Sequence, residues 1–279
     1  MNSANSKYII PCEYGKIGKT GGCYIPEKDG LYGAISVSRE TKAEPLTPEL
    51  EIENETLIRY NGESREVYIP NGIKIISDGA FDSSSVRVIN IPESVEHIEN
   101  AVFFGVEEIN VSENNRHFSS ADGILYSKDK TVLISVPNGF SAKEFKVPDG
   151  TMEIGDCAFV CSDIDRIILC EGIKEIGSFS CSGISKIVLP DTLEVIQNGS
   201  FYQCFYLESI TFPQNLRYIG DLAFEECESL KEVHIPKNVT HIGRSAFPPG
   251  CKITADKDNL YAMKRMAEFV SKTQNKQNI

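Results

Sequence analysis

The chain has 279 residues, 41% hydrophobic and 24% charged, with 40 acidic against 28 basic side chains and a formal net charge of −12. That balance is ordinary for a globular protein, and no stretch reaches the ~18–20 consecutive apolar residues that a membrane helix needs. The acidic excess lacks the basic footprint of a nucleic-acid binder, so nucleic acid and membrane insertion are set aside.

The amino terminus carries no apolar run of secretory-signal length and no cleavage-like tail. The sequence as given therefore predicts a cytoplasmic protein, while a removed leader would make it secreted or cell-surface. Residues 1–55 do not fit the pattern that follows. Gly15, Gly18, Gly21, Gly22, Gly30 and Gly33, mixed with Tyr14, Tyr24 and Tyr32, suggest short strands and turns. The stretch 41–55, with Pro45, Pro48 and five glutamates, reads as a solvated acidic connector. It runs into a first strand expected over 56–60, a cap for what comes next.

From Val67 one phrase recurs: apolar, variable, apolar, proline. It stands at Val67-Tyr68-Ile69-Pro70, Ile89-Asn90-Ile91-Pro92, Phe145-Lys146-Val147-Pro148, Ile187-Val188-Leu189-Pro190, Ile210-Thr211-Phe212-Pro213 and Val233-His234-Ile235-Pro236. Ser112 and Cys170 replace the proline in two more units, giving marks at 70, 92, 112, 148, 170, 190, 213 and 236. The intervals are 22, 20, 36, 22, 20, 23 and 23, so eight units span 56–254 with one insertion. A period in this range is the signature of a stacked repeat.

Alternation such as Val233-His234-Ile235 buries one face of a short strand and leaves the middle residue outside. Proline, with no amide donor, ends the strand. A compact arm follows, as in Val239-x-x-Ile242-Gly243, where the glycine is expected to serve a turn. Ala246-Phe247 then places a small residue and a ring in the core. No unit this short buries its own apolar face, so neighbours must stack.

Within the insertion, about 113–141, Gly123 to Tyr126 and Thr131 to Val136 flank a polar turn and predict a β-hairpin, either thickening one edge of the stack or acting as a binding appendage. Beyond Thr254 the repeat stops. Asp256 to Asn259 offer helix N-cap residues, and Leu260, Met263, Ala267 and Val270 fall at helical spacing, so 255–279 is expected to be a capping helix with a frayed tail.

Nine cysteines invite a redox or metal reading. Cys181, Cys204 and Cys227 recur at intervals of 23, with Cys161 and Cys251 near the same place. A ladder of buried thiols packing as small hydrophobes accounts for them. Cys157, Cys161, Cys170 and Cys181 lack the paired Cys-x-x-Cys spacing of structural zinc sites, and no metal or other cofactor is expected. Cys12 and Cys23 lie outside the ladder; they could pair in an exported protein and otherwise are loop or strand thiols. No phosphate-binding, dinucleotide, zinc-protease or serine-hydrolase motif is present, so no catalytic residue is assigned. Cys170 in place of proline leaves a Cys–His pair conceivable, against the simpler reading of packing variation.

The phrases Leu207-x-x-Ile210-x-Phe212-Pro213-x-x-Leu216-x-x-Ile219-Gly220-x-x-Ala223-Phe224-x-x-Cys227 and Leu230-x-x-Val233-x-Ile235-Pro236-x-x-Val239-x-x-Ile242-Gly243-x-x-Ala246-Phe247 closely resemble the BspA-like leucine-rich repeat family. The resemblance covers about 57–254. It implies a right-handed superhelical solenoid with a parallel β-sheet on its concave side, mainly β with short turns or helical arms. It also implies a non-enzymatic scaffold for protein–protein interaction, or an exported adhesin for a host protein or carbohydrate. A self-assembling structural element is the other reading.

The outward strand positions are then the candidate binding residues. Tyr68, Asn90, Asn110, Lys146, Ile168, Val188, Thr211 and His234 align on one track; Glu66, Val88, Glu108, Glu144, Arg166, Lys186, Ser209 and Glu232 form its neighbour. Ile168 and Val188 are apolar where water is expected, with Arg166 and Lys186 beside them, the pattern of an apolar centre with a charged rim. The binding set is thus Tyr68, Asn90, Arg166, Ile168, Lys186, Val188, Thr211 and His234, for a protein partner or, on export, a host surface molecule.

Overall fold

A computed structural model describes residues 49–82, 84–100 and 103–265. Cys12, Cys23, the glycine- and tyrosine-rich segment before residue 49, Ala267, Val270 and the tail lie outside the described residues.

Most coils lay down two strands, not one; the coil through Ser209 has a single bridge in place of the longer one. The longer set is Glu66–Tyr68, Val88–Ile91, Glu108–Val111, Glu144–Lys146, Arg166–Ile168, Lys186–Val188, Glu232–Ile235 and Lys252–Ala255. Its members pair in parallel within three blocks, so that Val67 meets Ile89, Ile167 meets Ile187 and Val233 meets Ile253. The last strand, Lys252–Ala255, is a further rung that lacks the proline and carries Asp256 in its place. The second set is made where the sequence suggested only a compact arm. Glu175–Ile176, Val195–Ile196, Tyr218–Ile219 and His241–Ile242 form a parallel sheet, as do Ile75–Ile76 and His97–Ile98. Each inward isoleucine there is buried in the common core or packed against it.

The third side of each coil is a turn whose phenylalanine enters the core. Phe159, Phe179, Phe201 and Phe224 stack at 5.0 Å between ring centroids with interplanar angles of 11° or less, and Phe247 continues the column at 5.5 Å. Such offset stacking is favourable for aromatic rings, and the coil spacing enforces it.

The glycine of the Ile-Gly phrase serves a purpose the sequence reading missed. Gly220 and Gly243 do not have the left-handed backbone expected of turn glycines. Instead a Cβ on Gly243 would overlap the backbone of Gly220 and Asp221, and one on Gly220 the backbone of Gln197 and Asn198. Their amides continue the second sheet, Gly243 N–H donating to the Ile219 carbonyl at 2.8 Å. True turn glycines follow the prolines: Gly72 and Gly150 have φ of 100° and 97°, in turns closed by Ile73 N–H to the Pro70 carbonyl and Thr151 N–H to the Pro148 carbonyl, which suits a type II turn.

The stretch 41–55 is not wholly a connector. Leu50–Glu53 is a strand, antiparallel to Thr56–Tyr60 across a turn at Asn54 and Glu55, whose φ values are 48° and 64°. Leu50 is buried, and alternation with Ile52 directs both toward the core. Tyr60 heads a separate row of tilted rings in the amino-terminal core, 6.3 Å from Phe81, which lies 6.3 Å from Phe103.

The insertion is a three-stranded antiparallel unit, Phe118–Ala121, Ile124–Ser127 and Val132–Ser135, and it is built into the stack rather than appended to it. Its third strand pairs in parallel with Glu153–Ile154, so the insertion shares a sheet with the short strand of the next coil. Its middle strand is a wall between two cores: Leu125 packs into the amino-terminal cluster, while Ile124 and Tyr126 pack into the carboxy-terminal one. Burial pushes the Tyr126 phenol up to about 12, with the Asp122 charge adding to the shift.

The coils of the amino-terminal core and those of the carboxy-terminal core end on the same device. Asn115 donates its amide to the Pro92 and Val95 carbonyls, each at 2.9 Å, and accepts from the His117 and Phe118 amides. Asn259 donates to the Pro236 and Val239 carbonyls at 2.7 and 3.0 Å and accepts from the Ala262 amide. One buried amide thus satisfies the exposed carbonyls of the last Pro-x-x-Val turn, which would otherwise lack partners. Asn259 also acts as N-cap for a helix over 260–265. The expected apolar face of that helix is overturned in its described part. Leu260 is 77% and Met263 50% exposed, while Ala262 is the buried residue. The cap fixes this rotation: its short bond to the Ala262 amide turns Ala262 inward. Tyr261 Oη accepts from Ile242 N–H and Arg265 donates to the Ile242 carbonyl, covering the edge of the second sheet.

Candidate interaction face

The outward tracks lie in the register that alternation implies. Tyr68 stands opposite Asn90 and Asn90 opposite Asn110; Lys146, Ile168 and Val188 follow one another, as do Glu144, Arg166 and Lys186. The structure does not bring all eight candidates into one site. The insertion separates Tyr68 and Asn90 from the four central residues. Beyond Val188 only a single bridge, Lys186 to Ser209, continues the ladder; Thr211 lies outside any strand, and His234 belongs to the last block.

Three local groups result. In the first, Tyr68 is 69% exposed and its hydroxyl donates to Glu66 at 2.8 Å, a bond that raises the phenol's pKa. The Asn90 amide reaches the same carboxylate at 3.1 Å. In the second, Val188 is exposed and Ile168 half-buried, while Arg166 lies 3.4 Å from the Glu144 carboxylate. In the third, His234 bridges Thr254 Oγ1 at 3.0 Å and Asp256 at 2.9 Å.

That third group has a pH signature. The hydrogen bond from His234, aided by the Lys237 amide, holds the Asp256 carboxyl below its ordinary value of 3.8. A carboxyl depressed in the folded state stabilises the fold above its unfolded pKa and loses that contribution as pH falls through the folded value. Asp256→Asn should therefore melt lower than the parent at pH 6–7, with the two melting curves converging in acid below ~pH 4. Thermal melts of both proteins across pH check this.

Sequence reasoning missed an exposed aromatic pair, Phe205 and Tyr206, 40% and 65% exposed. A signal was present: Cys204 to Ile210 is one residue longer than Ser182 to Ile187. Lys186 pairs with Ser209, so the longer segment takes up its extra residue before the bridge, in the stretch that carries the two exposed rings.

The cysteine ladder also needs correction, because it is two tracks one residue apart. Cys204 and Cys227 are fully buried, in line with Ser162 and Ser182, and donate to the Phe179 and Phe201 carbonyls at 2.9 and 3.0 Å. Cys161 and Cys181 sit one place earlier in their turns, half-buried, with left-handed φ of 55° and 60°. The equal spacing of 181, 204 and 227 arose from coils of unequal length. No disulfide joins any two of the seven described cysteines. The hydrogen bond with Cys204, together with burial, raises the Cys227 pKa; burial, with the nearby Asp149 charge adding, raises Cys170, and burial, with Glu232 adding, brings Cys251 to about 11. Thiols shifted this way are poor nucleophiles. Cys170 is buried with its Sγ 3.3 Å from the Thr151 carbonyl, a packing substitution for proline. Among the described residues, no cluster of three His, Cys, Asp or Glu side chains could hold a metal, and no helix is long and apolar enough to cross a membrane.

The model of the BspA type leucine rich repeat region matches residues 51–141 and 137–254 in six copies. The chain belongs to this family. Among solved structures, the BspA-type chain resembles a leucine rich cell surface protein of Faecalibacterium prausnitzii A2-165, with a TM-score of 0.59 and 24% identity, covering 69% of this chain and 60% of that one. It also resembles the pneumococcal vaccine antigen PcpA, with a TM-score of 0.51 and 22% identity, covering 70% and 67%. At these identities the likeness is one of fold. No curated protein matches the chain. Within the BspA-type repeat, the stacked phenylalanines and close-packed glycines are the scaffold, and the outward strand residues are what this copy is at liberty to vary.

Proposed function

We propose that this chain is a non-enzymatic binding scaffold that engages a protein partner through its long-strand face, centred on Ile168 and Val188. One observation carries the reading. Val188 is 43% exposed and lies in register with Ile168 on adjacent rungs, with Arg166 and Lys186 paired beside them. An apolar centre that costs solubility, set in a charged rim on a rigid sheet, has the composition of an interface core. The repeat family supports it, since its recurring residues are consumed by the core.

Ile168→Asp combined with Val188→Asp should weaken partner binding by at least about thirtyfold, as loss of a hot spot worth ~2 kcal/mol or more does. The fold should persist, because both side chains project from the sheet. Binding is measured with a purified partner identified by crosslinking from native cells, and folding by circular dichroism. Unchanged affinity in the double variant would sink the proposal.

A second reading, an exported adhesin meeting a host surface molecule, is favoured by one finding: a solved protein of similar fold is a cell surface protein. Labelling of intact native cells with a membrane-impermeant reagent separates the two, since only an exported chain is labelled.

A further inference from the structure

A different part of the same face has a different chemistry. Tyr68, Asn90 and Asn110 stand in register on three adjacent rungs and, with Pro92, Val111 and Ser112, line a shallow hollow of about 340 Å³. In a chain that is 24% charged, none of the residues lining this hollow carries a charge at neutral pH. We propose that it is a subsite for an uncharged saccharide, with Tyr68 as the stacking platform and Asn90, Asn110 and Ser112 as hydroxyl partners.

The argument is one of matched surfaces. A pyranose presents an apolar face of C–H groups and a rim of hydroxyls that both donate and accept. The Tyr68 ring, 69% exposed, offers a flat apolar face, and its hydroxyl bond to Glu66 at 2.8 Å fixes where that face points. The same Glu66 carboxylate accepts from the Asn90 amide at 3.1 Å, and the Val67 carbonyl accepts at 3.3 Å. The Asn90 amide nitrogen is therefore occupied, and its carbonyl oxygen is left to accept from a ligand hydroxyl. Asn110 has no side-chain partner among the described residues and offers both a donor and an acceptor. Ser112 Oγ accepts from Asn114 N–H at 3.3 Å, which leaves its proton to donate. Rungs ~4.8 Å apart space these groups across the width of a sugar ring. Because neighbours already hold Tyr68 and Asn90, binding does not have to order them.

Charge decides against other small ligands. A cation or an anion would find no counter-charge inside the hollow, and Glu66 at the foot of Tyr68 would repel an anion. The site does not depend on the protein-binding reading, since the insertion separates it from Ile168 and Val188.

The test uses the full chain and a panel of methyl glycosides: glucose, galactose, mannose, fucose, N-acetylglucosamine and N-acetylgalactosamine, with methyl sialoside as the charged comparison. Saturation-transfer NMR should show at least one neutral glycoside bound and the sialoside not. Tyr68→Ala should weaken that binding about tenfold, equivalent to about 1.4 kcal/mol, with an unchanged melting temperature. Tyr68→Phe, which keeps the stacking face and loses the bond to Glu66, should bind better than Tyr68→Ala and no better than the parent, and Asn110→Ala should weaken the binding. Absence of binding by every neutral glycoside, equal or better binding of the sialoside, or full binding by Tyr68→Ala would each overturn the proposal.

Discussion

Phe201→Ala is expected to lower unfolding stability by about 3–5 kcal/mol, the cost of emptying a buried phenylalanine site. Phe201 is fully buried and lies between two parallel rings, Phe179 and Phe224, each 5.0 Å away. Neither neighbour can close the gap, because each is held by its own coil at the spacing of the sheets. The void therefore persists, and the transfer and cavity penalties both apply. In a stack where each coil touches only its neighbours, a weakened interface in the middle also divides the cooperative unit. Urea unfolding followed by circular dichroism should show a lower midpoint and a broader or split transition. Phe247→Ala at the end of the column is the control. Phe247 has one parallel neighbour, at 5.5 Å, and retains 8% exposure, so its removal should cost less. Equal losses at the two positions would show that the column is not the organising element.

Gly243→Ala has an expected effect of similar size and opposite origin. Where backbone geometry permits alanine, replacing glycine stabilises a protein by about 0.4–1 kcal/mol through the unfolded chain. At Gly243 the added methyl meets the main chain of Gly220 and Asp221, which no rotamer change can move. Coils 242–244 and 219–221 must separate, and the Gly243 N–H bond to Ile219 is strained in consequence. A loss of at least about 2–3 kcal/mol is expected, at the upper end of overpacking penalties. Gly177→Ala makes the comparison sharp. The methyl there would meet only the Gln197 side chain, whose amide must leave its bond to Glu175 but which no main-chain contact pins. That variant should cost about 1 kcal/mol or less, the scale of one net side-chain hydrogen bond, and clearly less than Gly243→Ala. Denaturant midpoints for the pair measure the difference; a tolerated Gly243→Ala would mean that adjacent coils are not in backbone contact there.

Both effects lie between coils, and this is where sequence reading lost resolution. Within a coil, the residues speak for themselves: Val233, His234 and Ile235 alternate, so which side each faces follows from strand geometry alone. The same logic placed Ile168 and Val188 outside, and the register bears out their alignment. It could not place Phe205 and Tyr206. Their exposure goes with one extra residue before the Lys186–Ser209 bridge, a comparison between two coils of different length. The cysteines failed for the same reason. Positions 181, 204 and 227 share a numerical interval, yet Cys181 lies beside Gln203 in a left-handed turn while Cys204 lies beside Ser182 in the core.

The sequence by itself determined the repeat, the family, the inward and outward residues of the long strands and the place of the insertion, because each is written in periodicities shorter than one coil. Tertiary structure decided the second sheet, the use of Ile-Gly glycines for close approach rather than turning, and the insertion as a wall between two cores. It also decided the shared role of Asn115 and Asn259 and the division of the face into separate groups. All of these depend on which residues meet across a coil boundary 20 or more positions away, and lateral register is set by packing, not by local pattern.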